Sequence, residues 1–124
     1  MVKNILLPNS TVIEQSVLAQ LEQDVGIETL AKLLQLFITE LITLNSRLDE
    51  AITNTDVAQI IDVAHILKNS AALYGATPLA LLSKQLHDAE SLSVQQYLSS
   101  ALLIQTSIKK TTGCYQGLAN RIGC

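Results

Sequence analysis

The chain has 124 residues, a net charge of −3 and a hydrophobic fraction of 48%, with only 3% aromatic residues. This length fits a single domain over residues 1–124, with a core built from aliphatic side chains. The 8 basic residues are outnumbered by 11 acidic ones and form no patch, which argues against a nucleic-acid partner.

The apolar segments are too short for a membrane protein. None approaches the roughly 18 residues of a membrane span, and the apolar run within residues 1–8 is too short for a secretory signal. We therefore expect a cytoplasmic protein that does not bind membranes. Cys114 and Cys124 are expected to be free thiols in a reducing compartment.

The first half of the chain shows helical spacing of apolar residues, and strand-like alternation is absent. A first helix is predicted over about 11–23, where Thr11 and Glu14 fit a capping box. A second is predicted over about 27–52, and Asp56 is expected to cap the next one. The stripe of the second helix is Ile27, Leu30, Leu34, Ile38, Leu41, Leu44, Leu48 and Ile52.

The second half continues the same spacing. A third helix is predicted over about 56–74, ending at a left-handed Gly75. Thr77 as N-cap and Pro78 at the first helical position would open a fourth over about 78–90. A capping box at Ser93 would open the last, over about 94–111. The predicted inward residues of these three helices are Val57, Ile60, Ala64, Leu67 and Ala71; Leu79, Leu82 and Leu86; and Val94, Tyr97, Leu98, Ala101, Leu102 and Ile108.

Three glycines, Gly113, Gly117 and Gly123, lie within residues 112–124, so the pattern leaves open whether the last helix continues there. Together the predicted elements indicate an all-α fold. It is an antiparallel four-helix bundle over about 11–111 that includes a short additional N-terminal helix.

The third helix carries His65 beside its core stripe. At ~100° per residue, the stripe lies about 100–120° from His65. Its neighbours within about 60° are Ala58, Ile61, Asp62, Lys68, Asn69 and Ala72. A neutral imidazole at neutral pH is a nucleophile, and Lys68, one turn on, is placed to pair with an added negative charge. From periodicity alone, an exposed structural histidine remains the commoner interpretation.

Residues 64–76 resemble the motif of histidine-containing phosphotransfer (HPt) domains. The matching residues are His65, Leu67, Lys68, Ser70, Ala71, Gly75 and Ala76. Within that family, the polar Asn69 after the lysine and the aromatic Tyr74 before the glycine resemble the small stand-alone phosphorelay proteins of bacterial quorum sensing.

The resemblance implies a phosphoryl carrier. His65 would accept a phosphoryl group from an aspartate on a receiver domain, often that of a hybrid sensor kinase, and pass it to an aspartate on a response regulator. Lys68 would stabilise the phosphoryl group, and a monomer is expected. No cofactor and no kinase activity are expected, because a nucleotide-binding glycine-rich loop is absent. No metal centre is expected, because neither histidine follows a glutamate at metal-binding spacing.

Two positions depart from the family pattern. Asn69 stands where glycine is usual, and its side chain would either crowd a docking receiver or donate a hydrogen bond to the phosphoryl oxygens. It motivates an alternative, in which the chain is a non-phosphorylated interaction module that binds or inhibits a receiver or kinase. His87 matches a glutamine on the next helix that often orients the reactive imidazole, although an exposed bystander is an equal interpretation.

The remaining polar and aromatic residues near the motif have structural interpretations. Tyr74 is expected to pack in the core. Asp62, Asp88 and Glu90 are interpreted as solvated charges.

Overall fold

The computed structural model describes residues 12–122, which form five α-helices and no strand. Their bounds are α1 Gln15–Val25, α2 Ile27–Thr53, α3 Val57–Tyr74, α4 Thr77–Asp88 and α5 Val94–Ile122. Helices α2 to α5 pack in a ring in chain order, and α1 packs on α2 and α3. The predicted all-α bundle is confirmed. Among these helices, none has the length and hydropathy needed to cross a membrane.

Three sequence predictions lie outside the described residues. They concern residues 1–8 at the start of the chain, the capping role of Thr11 and the thiol of Cys124.

The core of α2 follows the predicted stripe. Every predicted position from Leu30 to Leu48 is buried, whereas Ile27, the first residue of α2, is 40% exposed. Phe37 joins the stripe, stacking on Tyr74 at 4.4 Å between ring centroids and meeting Tyr115 edge-on at 5.0 Å. These three rings form a small aromatic cluster between α2, α3 and α5, and Tyr74 is a core residue as predicted.

Helix α5 is longer than predicted, and two residues predicted to face inward, Val94 (50% exposed) and Leu102, are exposed. It continues past 111 to Ile122 because its buried stripe continues. Ile104 is buried whereas Leu102, predicted to face inward, is 54% exposed. The stripe consists of Ala101, Ile104, Ile108, Thr111, Tyr115 and Leu118. A glycine inside a helix costs about 1 kcal/mol relative to alanine, and burial of Tyr115 offsets the two glycines in this segment.

Tyr115 ties the C-terminal half of α5 to the end of α3. Its hydroxyl, in a buried position, donates a hydrogen bond of 2.7 Å to the backbone carbonyl of Tyr74. That carbonyl belongs to the last turn of α3, where intrahelical donors run out. Burial raises the pKa of the Tyr115 phenol, so the hydroxyl remains a donor at neutral pH.

Gly75 ends α3 in the left-handed conformation that its position predicts, with φ 82° and ψ 16°. Its carbonyl accepts a 2.7 Å hydrogen bond from the backbone N–H of Glu14, which joins the start of α1 to the end of α3. The prediction that α1 begins near 11 is wrong, because residues 12–14 are not helical and α1 begins at Gln15. The predicted bond from the Glu14 side chain back to Thr11 lies outside the described residues. Glu14 is the extended N-cap residue, and its side chain makes no capping bond, because its backbone is held by this tertiary contact.

The other helix starts were predicted to within a residue. Asp56 accepts from the N–H of Gln59, and Ser93 and Gln96 exchange the two capping-box bonds. Thr77, predicted as N-cap, is the first residue of α4, because the buried Ala76 takes the cap position and its carbonyl accepts from Ala80. Helix α4 ends at Asp88 and not at 90, since Ala89 is extended.

Alanine substitutions at Gly75 and Gly113 test the junction between the start of α1 and the end of α3. A Cβ on Gly75 would lie 3.0 Å from the Glu14 carbonyl oxygen and 3.1 Å from Val17 Cβ, and φ is positive there. We expect Gly75→Ala to lower the free energy of unfolding by about 2 kcal/mol or more. Gly113, in the helix with open space around it, is the matched control. Gly113→Ala should raise stability by about 0.5–1 kcal/mol. Urea unfolding measures both, and equal stability of Gly75→Ala and wild type would contradict the assigned junction.

Removing the Tyr115 hydroxyl tests the anchoring of α5. Tyr115→Phe leaves a buried carbonyl without its donor and should cost about 1–3 kcal/mol of unfolding free energy. Tyr97→Phe is the control, because the Tyr97 hydroxyl makes no hydrogen bond within residues 12–122. If the two variants unfold at the same urea concentration, the hydrogen bond does not anchor α5.

Candidate functional site

His65 lies on the exposed side of α3, next to the buried Ala64. This follows from the helical phase, since the residues that α3 turns inward are Ile60, Val63, Ala64, Leu67, Ala71 and Tyr74. The structure leaves Ala58, Asp62, Asn69 and Ala72 exposed on α3 and half-buries Ile61. The imidazole is therefore accessible on a helix where several neighbouring side chains are small.

The turn at Gly75 brings α4 back along α3 and places a second histidine beside the first. His65 lies ten residues before Gly75, and His87 lies ten residues after Thr77. At ~1.5 Å per residue the two histidines are at about the same distance from the turn. Their ring centroids lie 4.6 Å apart with 38° between the ring planes. His87 is thus a direct neighbour of His65.

Lys68 connects α3 to the end of α4. Its ammonium nitrogen lies 3.1 Å from Nδ1 of His87 and 3.8 Å from Oδ1 of Asp88. Asp88 is also paired with Lys84 at 2.7 Å, one turn earlier on α4. With both imidazoles neutral, these side chains carry one net positive charge, which suits an anionic ligand.

Nδ1 of His87 has two neighbours with opposite requirements. Oδ1 of Asp88, also 3.1 Å away, can accept a hydrogen bond from Nδ1 only if Nδ1 is protonated. The ammonium of Lys68 can donate to Nδ1 only if Nδ1 is unprotonated. The hydrogen bond from the Lys84 ammonium holds the pKa of the Asp88 carboxyl below its usual value. Asp88 is therefore ionised at neutral pH.

Asp62 is exposed, as predicted from the sequence, and it also forms an ion pair across two helices. Its carboxylate accepts a 2.8 Å hydrogen bond from Arg47 of α2, and the same guanidinium nitrogen donates to Gln59 at 2.6 Å. This ion pair links α2 to α3 one turn before His65. Lys68, in contrast, is the cation that contacts His87, the neighbour of His65.

Sequence reasoning missed the contacts that three charged residues make near the two histidines, namely Asp88, Lys84 and Arg47. Asp88 was interpreted as solvated, yet Lys68, Lys84 and His87 all contact it. The spacing of Lys84 and Asp88, four residues apart on one helix, is a signal that would have identified that pair. Arg47 gives no such signal, because its partner Asp62 lies on a different helix.

Gly75 and Asn69 are the remaining residues that the sequence predicted to belong to the site. Gly75 is buried at the junction and acts on the site through the turn it makes. Asn69 is exposed, and its side-chain amide makes no hydrogen bond with any residue between 12 and 122. In the same range, no group of three or more His, Cys, Asp or Glu side chains is arranged to hold a metal ion.

Comparison of the chain with known proteins gives a match to a protein-family model. Neither curated proteins nor solved structures give a significant match to the chain. The family model described as "Hpt domain" matches residues 32–110, which run from α2 into α5 and include both histidines. The match covers more than half of the chain, so the chain belongs to the Hpt domain family, the histidine phosphotransfer modules of two-component signalling.

Proposed function

We propose that His65 is the residue that carries the phosphoryl group, accepting it from an aspartyl phosphate on one receiver domain and giving it to an aspartate on another. The observation that supports this proposal is the position of the exposed His65 imidazole beside a second imidazole, His87, which contacts the ammonium of Lys68. The donor would be the receiver of a hybrid sensor kinase and the acceptor that of a response regulator, in the cytoplasm.

The transfer needs little from this chain beyond the nucleophile. The lone pair of an unprotonated His65 ring nitrogen attacks phosphorus, a P–N bond forms and the P–O bond to the aspartate breaks. The leaving carboxylate keeps the electron pair of that bond. The ring becomes a phosphorylated imidazolium, so the total charge is unchanged. The reverse reaction, onto the second aspartate, follows the same path.

Lys68 is the residue best placed to stabilise the phosphorylated form. A phosphoryl group brings up to about two negative charges, and the net positive charge around Lys68 and Lys84 compensates part of that. Ala58 and Ala72 leave room for a receiver domain to approach His65. Ile61 and Asp62 would border the docking surface, which a monomer leaves open. The receiver would supply the remaining catalytic groups, so we propose a carrier without kinase activity of its own.

Asn69 supports a second candidate function. Its exposed, unbonded amide stands on the same helix as His65, one residue after Lys68. If that side chain prevents a receiver from reaching His65, the chain would bind a receiver or kinase without exchanging a phosphoryl group. We favour the carrier, because the amide is equally able to donate to phosphoryl oxygens.

Substitutions of His65 and Lys68 test the carrier. After incubation with a phosphorylated receiver domain, the wild type should carry acid-labile, alkali-stable phosphate, and His65→Gln should carry none. Lys68→Met should slow labelling by roughly tenfold to a hundredfold, the equivalent of one charge-assisted hydrogen bond. Lys110→Met, at an exposed position of α5, is the matched control and should label at the wild-type rate. Full labelling of His65→Gln would refute His65 as the site.

Substitutions of Asn69 separate the two candidates. The carrier account expects the wild type to transfer, with Asn69→Gly altering the relative rates among receiver domains. Asn69→Ala controls for the helix-weakening effect of glycine. An inactive wild type that gains transfer in both variants would favour the interaction module.

A further inference from the structure

The Nδ1 atom of His87 is shared by two groups that it cannot satisfy at the same time. Lys68 Nζ and Asp88 Oδ1 each lie 3.1 Å from it. A ring nitrogen either carries a proton and donates, or carries a lone pair and accepts. Whether Nδ1 is protonated therefore decides which neighbour His87 binds.

In the resting protein the position of Lys68 determines which ring nitrogen of His87 carries the proton. A proton on Nδ1 would point one donor at another donor, the ammonium of Lys68. Asp88 does not depend on His87, because Lys84 already donates to it at 2.7 Å. Nδ1 therefore accepts from Lys68, and the ring proton of His87 lies on Nε2.

A phosphoryl group on His65 changes this balance. It adds up to about two negative charges, partly offset by the positive charge of the phosphorylated ring, whose centroid lies 4.6 Å from that of His87. Lys68 is the mobile cation in reach, since a lysine side chain is a flexible stem with a charged end. When its ammonium turns to the phosphoryl oxygens, Nδ1 of His87 loses its donor and faces the carboxylate of Asp88.

We propose that His87 and Asp88 are positioning residues for Lys68, which they hold in the resting protein and release when His65 is phosphorylated. His87 then binds a proton at Nδ1, and the Nδ1–H donates a hydrogen bond to Asp88. The second half of this inference rests on the proposed function of His65. The proton comes from solvent, so no further reactant is needed. The phosphorylated site then contains the ammonium of Lys68 and the imidazolium of His87.

The charges around His87 favour this exchange. The titratable groups in contact with it are His65 and Lys68 on α3 and Asp88 on α4, and Lys84 reaches it through Asp88. The lowered pKa of the Asp88 carboxyl keeps an ionised acceptor beside Nδ1. Lys68 is only 25% exposed at its side chain, so its movement removes an ammonium from a partly desolvated position.

Nitrogen-15 NMR of the His87 ring tests the resting half without any phosphorylation. In the wild type, Nδ1 should give the signal of an unprotonated nitrogen and Nε2 that of a protonated one. Lys68→Met should move the ring proton to Nδ1, where the N–H donates a hydrogen bond to Asp88. Lys68→Met combined with Asp88→Asn should weaken that preference. Asp49→Asn, at an exposed position on α2, is the control and should leave the wild-type signals unchanged. A wild-type Nδ1 that is already protonated, or a Lys68→Met variant with unchanged ring signals, would overturn the proposal.

The second half is tested by treating the protein with phosphoramidate, a small phosphoryl donor, at one fixed pH near neutrality. Phosphorylation of His65 should protonate Nδ1 of His87 in the wild type and in Asp49→Asn, but to a smaller extent in Asp88→Asn. Phosphorylated His65 beside a His87 ring with unchanged signals would overturn this half alone. If no phosphohistidine forms with this reagent or with a phosphorylated receiver, the proposed function fails, while the resting measurement still judges the hold on Lys68.

Discussion

The reversal of the chain at Gly75 is the constraint on which the site depends. The left-handed residue at this point allows α3 to end and α4 to begin with only two residues between them. Because the turn is so short, residues at equal distances from it meet across the two helices, and His65 meets His87. The same junction receives the backbone of Glu14 from α1 and the hydroxyl of Tyr115 from α5. Tertiary hydrogen bonds therefore fix the geometry near the turn from both sides.

The candidate site combines an accessible histidine with a lysine whose ammonium is restrained by contacts with α4. His65 is free to meet another protein, whereas Lys68 is restrained by a ring nitrogen and a carboxylate on α4. A restrained cation loses less side-chain entropy when it binds a phosphoryl group than a freely moving one would. The cost is competition, because Asp88 attracts the same ammonium. A carrier benefits from such a balance, since it must release the phosphoryl group as well as hold it.

Much of the fold follows from local patterns in the sequence. Apolar spacing predicted five helices, and Asp56, Gly75 and Ser93 marked their ends by local chemistry that acts within a few residues. The errors arose where distant contacts decide. Helix α5 continues through two glycines because Tyr115 reaches Tyr74 from 41 residues away. The candidate site was predicted from the motif around His65, but the ion pairs of Asp88 with Lys68 and of Asp62 with Arg47 depend on how helices pack, and apolar spacing does not predict them.

The central claim is that the phosphoryl group resides on His65 at the side of α3 that faces the end of α4. Phosphorus-31 NMR of the protein after transfer from a phosphorylated receiver domain tests it most directly. Coupling of the phosphorus to the ring protons assigns the modified histidine. The account predicts a single phosphohistidine signal coupled to the ring of His65. A signal coupled to the ring of His87, or no phosphohistidine with any receiver domain of the organism, would contradict it.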